Sequence, residues 1–283
     1  MEVDYLRKAS LADKDAATGF GRSFVTSTGK GILAAILCFA LLSAVYCLII
    51  EPGGDVMAAA RKRELPIYNV ARDDKVVAIS FDAAWGNANT AKLLDILDEY
   101  DIKTTFFLVG TWVEKYPELV QEIVSRGHEA QSHSTSHPHM PQLSDAKKRD
   151  ELRVVADMIE RLTGKRPTLF RAPYGDYNDA TVTVARQEGY EIVQWNVDSL
   201  DWKNLGAEDM VKKCTKKVTS GDIVLFHNDS KYITDALPTI LNFYASKGYK
   251  VIPVSEILIE GEYTIDNQGT QHPKTPAPTL PSV

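Results

Sequence analysis

Between Val76 and Val254 the chain repeats one pattern, a short apolar run followed by a longer amphipathic stretch. The short runs are VVAISF (76–81), TTFFLV (104–109), EAQSH (129–133), TLFR (168–171), EIVQWNV (191–197), DIVLFH (222–227) and KVIPV (250–254). The amphipathic stretches lie near 90–99, 117–126, 144–162, 179–188, 207–219 and 235–246, with residues such as Leu93, Leu94, Leu97 and Tyr100 at helical spacing. Strands that alternate with helices predict a parallel sheet in an α/β fold. A (β/α) barrel and an open doubly wound sheet share this alternation. Polar residues separate them. Asp82, His133, Arg171, Asp198 and His227 all fall at or just after strand ends. A barrel gathers those ends on one face, whereas an open sheet uses fewer strands around a switch point. Five polar strand ends favour a barrel, or a distorted one.

The flanks carry other signals. GILAAILCFALLSAVYCLII, residues 31–50, has no charge and no proline. As a helix it covers about 30 Å, the thickness of a bilayer core, and is expected to be a transmembrane helix. Lys8, Arg7, Lys14, Arg22 and Lys30 precede it, which favours an inside N-terminus with the large domain outside a bacterial cell membrane. A cleaved signal peptide ending near Ala60 is the alternative. Residues 1–30 are expected to be a flexible cytoplasmic segment and 51–65 a linker. The folded domain is expected over 66–260, and the proline-rich stretch 264–283 as a disordered tail. Cys38 and Cys47 lie within the apolar span, so Cys214 alone remains for the domain and no internal disulfide can form there. With 32 basic and 38 acidic residues the formal charge is -6, which argues against a nucleic-acid partner.

Five short stretches carry candidate chemistry. In HSTSH (133–137) two imidazoles four residues apart can bracket a metal ion or simply line a loop. His128 begins the same strand and would lie about 16 Å from His133, too far to share an ion. FRAPYGDYN (170–178) is a turn in which Arg171 could fix and acidify a carboxylate. WNVDSLDW (195–202) sets Asp198 and Asp201 beside tryptophans, either as helix caps or as part of a sugar site. In IVLFHND (223–229), His227 closes a very apolar strand, either as a satisfied edge residue or as a general acid.

Taken in order, SFDAAWG, HSTSH, RAPYG, DSLDW and LFH resemble the five motifs of NodB-homology polysaccharide deacetylases. The short FDxxWG opening looks most like the PdaB-like sporulation branch. The resemblance implies a distorted seven-stranded (β/α) barrel and a metal-dependent hydrolase. Such an enzyme removes N-acetyl groups from amino sugars of a cell-envelope polysaccharide such as peptidoglycan. It implies His133 and His137 as ligands of one divalent ion, zinc or another such as cobalt. Asp82 is implied as general base, Arg171 as the residue that tunes it, His227 as general acid and Asp198 as the partner of that histidine. Tyr174 would help bind the oxyanion, and Trp202 and Leu225 would wall the acetate pocket.

One position departs from the family pattern. A second aspartate usually follows the base and binds the metal. Here that residue is Ala83, which cannot coordinate anything. Catalytic zinc usually has three protein ligands. Either Asp82 moves onto the ion, or Asn87 or Asn89 supplies an oxygen, or the ion is held weakly. Deacetylation is therefore the first reading. A weak or inactive carbohydrate-binding or morphogenetic protein on the same scaffold is the alternative, and a partner-gathering scaffold is a third.

Overall fold

The computed structural model describes residues 63–274 together with Ile36 and residues 38–43, which belong to a separate N-terminal unit. The strands are β1 (Asn69–Val70), β2 (Val76–Ala83), β3 (Thr105–Leu108), β4 (Glu129–Ser132), β5 (Leu169–Phe170), β6 (Glu191–Ile192), β7 (Val197–Asp198), β8 (Asp222–His227), β9 (Lys250–Ile252), β10 (Tyr263–Ile265) and β11 (Thr270–Pro273). The helices are α1 (Thr90–Glu99), α2 (Gly110–Lys115), α3 (Pro117–Ser125), α4 (Asp145–Thr163), α5 (Asp179–Gln187), α6 (Ala207–Thr215), α7 (Ile233–Ser246) and α8 (Val254–Ile257).

All eight residues of β2 are buried, as expected of a parallel strand covered on both faces. Val77, Ile79 and Phe81 pack with Leu93, Leu94 and Leu97 of α1 and with Leu237, Ile240 and Leu241 of α7. Val76 and Ala78, pointing the other way, pack with Phe107, Val193 and Ile223. That is the period-two alternation of a strand, and it sends Ser80 and Asp82 to the second face. One edge of β2 holds β8, in register from Val77↔Asp222 to Asp82↔His227. The other edge holds β9 over its first residues and β3 over its last.

The strands run β10-β11-β1-β8-β2-β3-β4-β5-β6, with β7 also on β8 and β9 on β2. The sheet curls into a distorted half-barrel. It bends far enough that Ile67, just ahead of β1, bridges Val193, just after β6. The expected count of seven strands is corrected to eleven among the described residues. The run 191–197 splits into β6 and β7, and β1, β10 and β11 pair over four residues or fewer, too short to leave a periodic trace.

Two further expectations change. Residues 264–274 are not a structureless tail: β10 and β11 pair with each other, and β11 pairs in parallel with β1. The transmembrane helix, and with it the membrane anchor and single-pass location, is also corrected. Among the described residues no helix is long and apolar enough to cross a membrane. Of the span 31–50 only Ile36 and residues 38–43 are described, as helix. The rest of it, and the segments 1–30, 51–62 and 275–283, lie outside the described residues.

Candidate active site

The site is built on an aromatic rung. Phe81 of β2 lies between Phe106 of β3 and Phe226 of β8, with ring centroids 5.0 Å and 5.7 Å away. Each stacked pair is worth about 0.5–1.5 kcal/mol beyond its buried area. One residue further along each strand, Asp82 and His227 stand opposite each other in register. On the next strands Ser132 pairs with Phe170, so His133 and Arg171 follow as neighbours. The parallel register thus delivers four polar side chains to one end of the sheet.

Arg171 and Asp82 form a buried ion pair, Nη1 to Oδ1 at 2.8 Å. The guanidinium lies 4.1 Å from the centroid of the Phe107 ring and donates through Nη2 to the Gln194 carbonyl at 3.1 Å. Burial pushes the Asp82 carboxyl up, but Arg171 beside it, together with His133 and His227, outweighs this and holds it below the usual carboxylate range. Asp82 is therefore ionised and can accept a proton.

His133 is fixed by its other nitrogen. Nδ1 lies 2.8 Å from the Arg171 carbonyl, which can only accept, so Nδ1 carries the hydrogen. Burial keeps the ring neutral. Its Nε2 lone pair then faces Asp82 Oδ2 at 3.4 Å, an acceptor against an acceptor. His137 sits with its ring centroid 4.9 Å from that of His133. Burial pulls its pKa down to about 4, and its Nδ1 is buried without a partner. Two neutral imidazoles are the right ligand state for a divalent ion.

The donor set stops there. Ala83 is fully buried within the apolar cluster and offers a methyl group. The Asn89 amide nitrogen donates to the Ser230 carbonyl at 2.9 Å, and neither Asn87 nor Asn89 lines the cavity. Among the described residues no group of three His, Cys, Asp or Glu side chains could hold a metal ion. The residues present do not fit a three-ligand zinc centre, and no chemical step below is routed through one.

The histidine on β8 has a different partner from the one expected. Asp201, not Asp198, holds His227: Oδ1 accepts from Nδ1 at 2.7 Å and Oδ2 accepts from the His227 backbone N–H at 2.7 Å. Asp198 instead accepts the Leu200 N–H at 2.8 Å, a local turn bond across two residues. Leu200 then takes a left-handed conformation, and the 3-10 turn over Asp201–Lys203 that follows carries Asp201 beside His227. Burial alone would lower the His227 pKa, but the hydrogen bond and charge of Asp201, with the charges of Asp82 and Asp198, outweigh it and the net shift is upward.

Asp82, His133, His137, Tyr174, Asp198, Trp202, Leu225 and His227 all line one cavity of about 840 Å3, with Arg171 behind Asp82. His128 lies apart, accepting the Thr104 N–H through Nδ1. Asp201 was one of two aspartates in DSLDW, and spacing alone did not choose between them. Glu151 left no signal at all, being one more charged residue on a helix. Its Oε2 accepts the backbone N–H groups of Thr135 and Ser136, each at 2.8 Å, and its Oε1 accepts the Ser136 hydroxyl at 2.7 Å. The loop it grips joins the two histidines and contains Ser134 and His137 at positive φ. Glu151→Ala is expected to destabilise the fold by about 2–3 kcal/mol and to speed amide exchange at Thr135 and Ser136, with Glu151→Gln in between. Unchanged melting and exchange in Glu151→Ala would show that the clamp carries no load.

Known proteins fit this geometry. The family profile described as polysaccharide deacetylase matches residues 69–193. The chain is 36% identical over 196 residues to a peptidoglycan-N-acetylglucosamine deacetylase of Bacillus cereus, covering 68% of this chain and 92% of that one. Among solved structures it resembles a CE4 family pseudoenzyme from Bacillus anthracis at 33% identity and a TM-score of 0.67, covering 73% of this chain and 72% of that one. It also resembles a mutant of that protein with restored enzymatic activity, at 36% identity and a TM-score of 0.66, covering 69% and 71%. These relatives do not single out the sporulation branch that the opening motif resembles. With the motif residues gathered in one cavity on a curled α/β sheet, they show that this chain belongs to the polysaccharide deacetylase family.

Proposed function

We propose that this chain binds an N-acetylated amino-sugar polymer of the cell envelope, peptidoglycan in the first place, and that its proton-transfer groups serve N-deacetylation at a rate held low by the missing ligand at position 83. The observation that carries this reading is the pairing of an ionised Asp82 with a proton-holding His227 on adjacent strands of one cavity. Asp82 takes a proton from water as the water oxygen attacks the acetyl carbon. His227, held through Nδ1 by Asp201, has Nε2 free to protonate the departing nitrogen. The C–N bond breaks, leaving acetate and a free amine. Separate partners, Arg171 for one group and Asp201 for the other, push the two pKa values apart as acid and base roles require.

His133 and His137 are the residues that would hold a divalent ion, zinc or cobalt, and two ligands would hold it weakly. The likeness to a pseudoenzyme favours a second reading, sugar binding with no turnover. Binding of peptidoglycan glycan and release of acetate, measured side by side, separate the two. The expected result is binding with slow release that disappears in His227→Ala. Binding without release supports the second reading, and failure to bind either glycan or chitin oligomers sinks both.

A further inference from the structure

We propose that Trp85 is a stacking platform for a sugar ring of the polymer and sets which glycan the cavity accepts, an inference that rests on the function proposed above. Five large hydrophobic residues of the domain are exposed: Trp85, Val154, Tyr174, Trp202 and Leu205. The three aromatic ones all line the same cavity. Isolated exposed apolar residues are ordinary, but the gathering of every exposed aromatic of this set around one opening is not. Trp85 is the most exposed of the five, at 72%. Trp112, by contrast, is buried and uses its indole N–H inside the protein.

Trp85 is also held in advance. The carbonyl of Gly86, the next residue, accepts from Trp112 Nε1 and from Asn228 Nδ2, both at 2.9 Å. The Asp229 carboxylate packs directly against Gly86, where an added Cβ would lie 1.8 Å from its Oδ2. Asn89 ties the far side of the same turn to Ser230. The turn that carries Trp85 is therefore fixed before a ligand arrives, which removes the cost of ordering its backbone on binding.

Its neighbour gives the stacked ring a place in the reaction. Trp85 meets the His137 ring edge to face at a centroid distance of 5.5 Å. A ring laid on Trp85 thus lies next to the histidine pair. A pyranose in the chair form has a C–H face that suits an indole and a hydroxyl edge that needs polar partners. Asn204, Asp229 and Ser230 line the cavity and can supply them. The ligand class is a β-linked N-acetyl amino-sugar chain with equatorial substituents, whose flat faces stay free.

The test is titration calorimetry of wild type, Trp85→Phe and Trp85→Ala with chitotetraose and with a purified peptidoglycan glycan. Trp85→Ala should weaken binding about tenfold, with Trp85→Phe between the two and melting temperature unchanged in both. In a Trp195→Phe/Trp202→Phe background, saturating glycan should shift tryptophan emission to the blue, and adding Trp85→Phe should abolish that shift. Wild-type binding matched by Trp85→Ala would overturn this role while leaving the proposed function standing. No binding by wild type would overturn both. Should Trp85→Ala lower the melting temperature, the Trp85→Phe affinity and the emission shift decide the matter.

Discussion

Ala83→Asp is expected to turn a weak metal binder into a tight one, raising zinc affinity at least tenfold and acetate release with it. Ala83 is the last residue of β2, between Asp82 and the cavity residues Ala84 and Trp85. A carboxylate there adds the third, anionic ligand that two neutral imidazoles lack. The gain has a cost. Ala83 belongs to the apolar cluster, and an unpaired carboxylate buried there costs several kcal/mol. It also sets a second negative charge beside Asp82, raising the pKa of one of the two unless a cation lies between them. The variant should therefore melt lower than wild type in chelator and recover when zinc is added, because an ion that binds only the native state stabilises it. Zinc titration, acetate release and melting with and without metal check this. A folded variant with wild-type zinc affinity would mean that position 83 does not face the ion.

Asp201→Asn should cost about a hundredfold or more in deacetylation, in wild type or in the Ala83→Asp background. The amide cannot stabilise a charged imidazole, and it no longer offers the two carboxylate oxygens that grip His227. The sign of the pH effect follows from the upward shift at His227. A proton donor works while protonated, so the wild-type activity falls at high pH as His227 loses its proton. Removing Asp201 lowers that pKa and moves this limb to lower pH. The low-pH limb, set by the depressed Asp82, should stay in place. Stability follows the same linkage. The contribution from the raised pKa is fully present below the unfolded value, about 6.5, and is lost as pH rises through the folded one. The melting deficit of the variant should shrink accordingly, down to the share owed to the His227 backbone bond. A high-pH limb that does not move would remove Asp201 from its role.

The parts of the fold that repeat were legible. β2, β3 and β8 lie where buried apolar runs predicted them, because each run is long enough to show its burial. β1, β6 and β7 are two residues each, too short to show a period, and β1 also depends on partners far along the chain. The boundary placed at 260 failed for the same reason. Tyr263–Ile265 and Thr270–Pro273 look polar and irregular, and only the exposed edge of β1 makes them strands. In the site, residues at strand ends could be read because one rule places them all. The resemblance points to Asp198 as the partner of His227, but its carboxylate accepts the Leu200 N–H, and the turn that follows brings Asp201 there instead. Glu151 and Trp85 act through where α4 and the β2–α1 turn come to lie, and local sequence carries no record of that.

The pairing of β1 with β11 governs when this protein can become complete during synthesis. Tyr68 donates to the Gly269 carbonyl and Ala71 to the Gln271 carbonyl, and Asn69 stands opposite Thr270, about 200 residues later. β1 also borders β8, so the early strand remains an open edge until the last part of the domain has been made. Contacts this distant in sequence form slowly, and an unpaired edge is prone to wrong partners meanwhile. A ribosome stalled near residue 260 would hold a chain with all of its candidate site residues made and its sheet still unsealed. Pairing of β11 with β1, rather than emergence of the last candidate site residue at His227, then marks the moment at which this edge of the sheet is sealed.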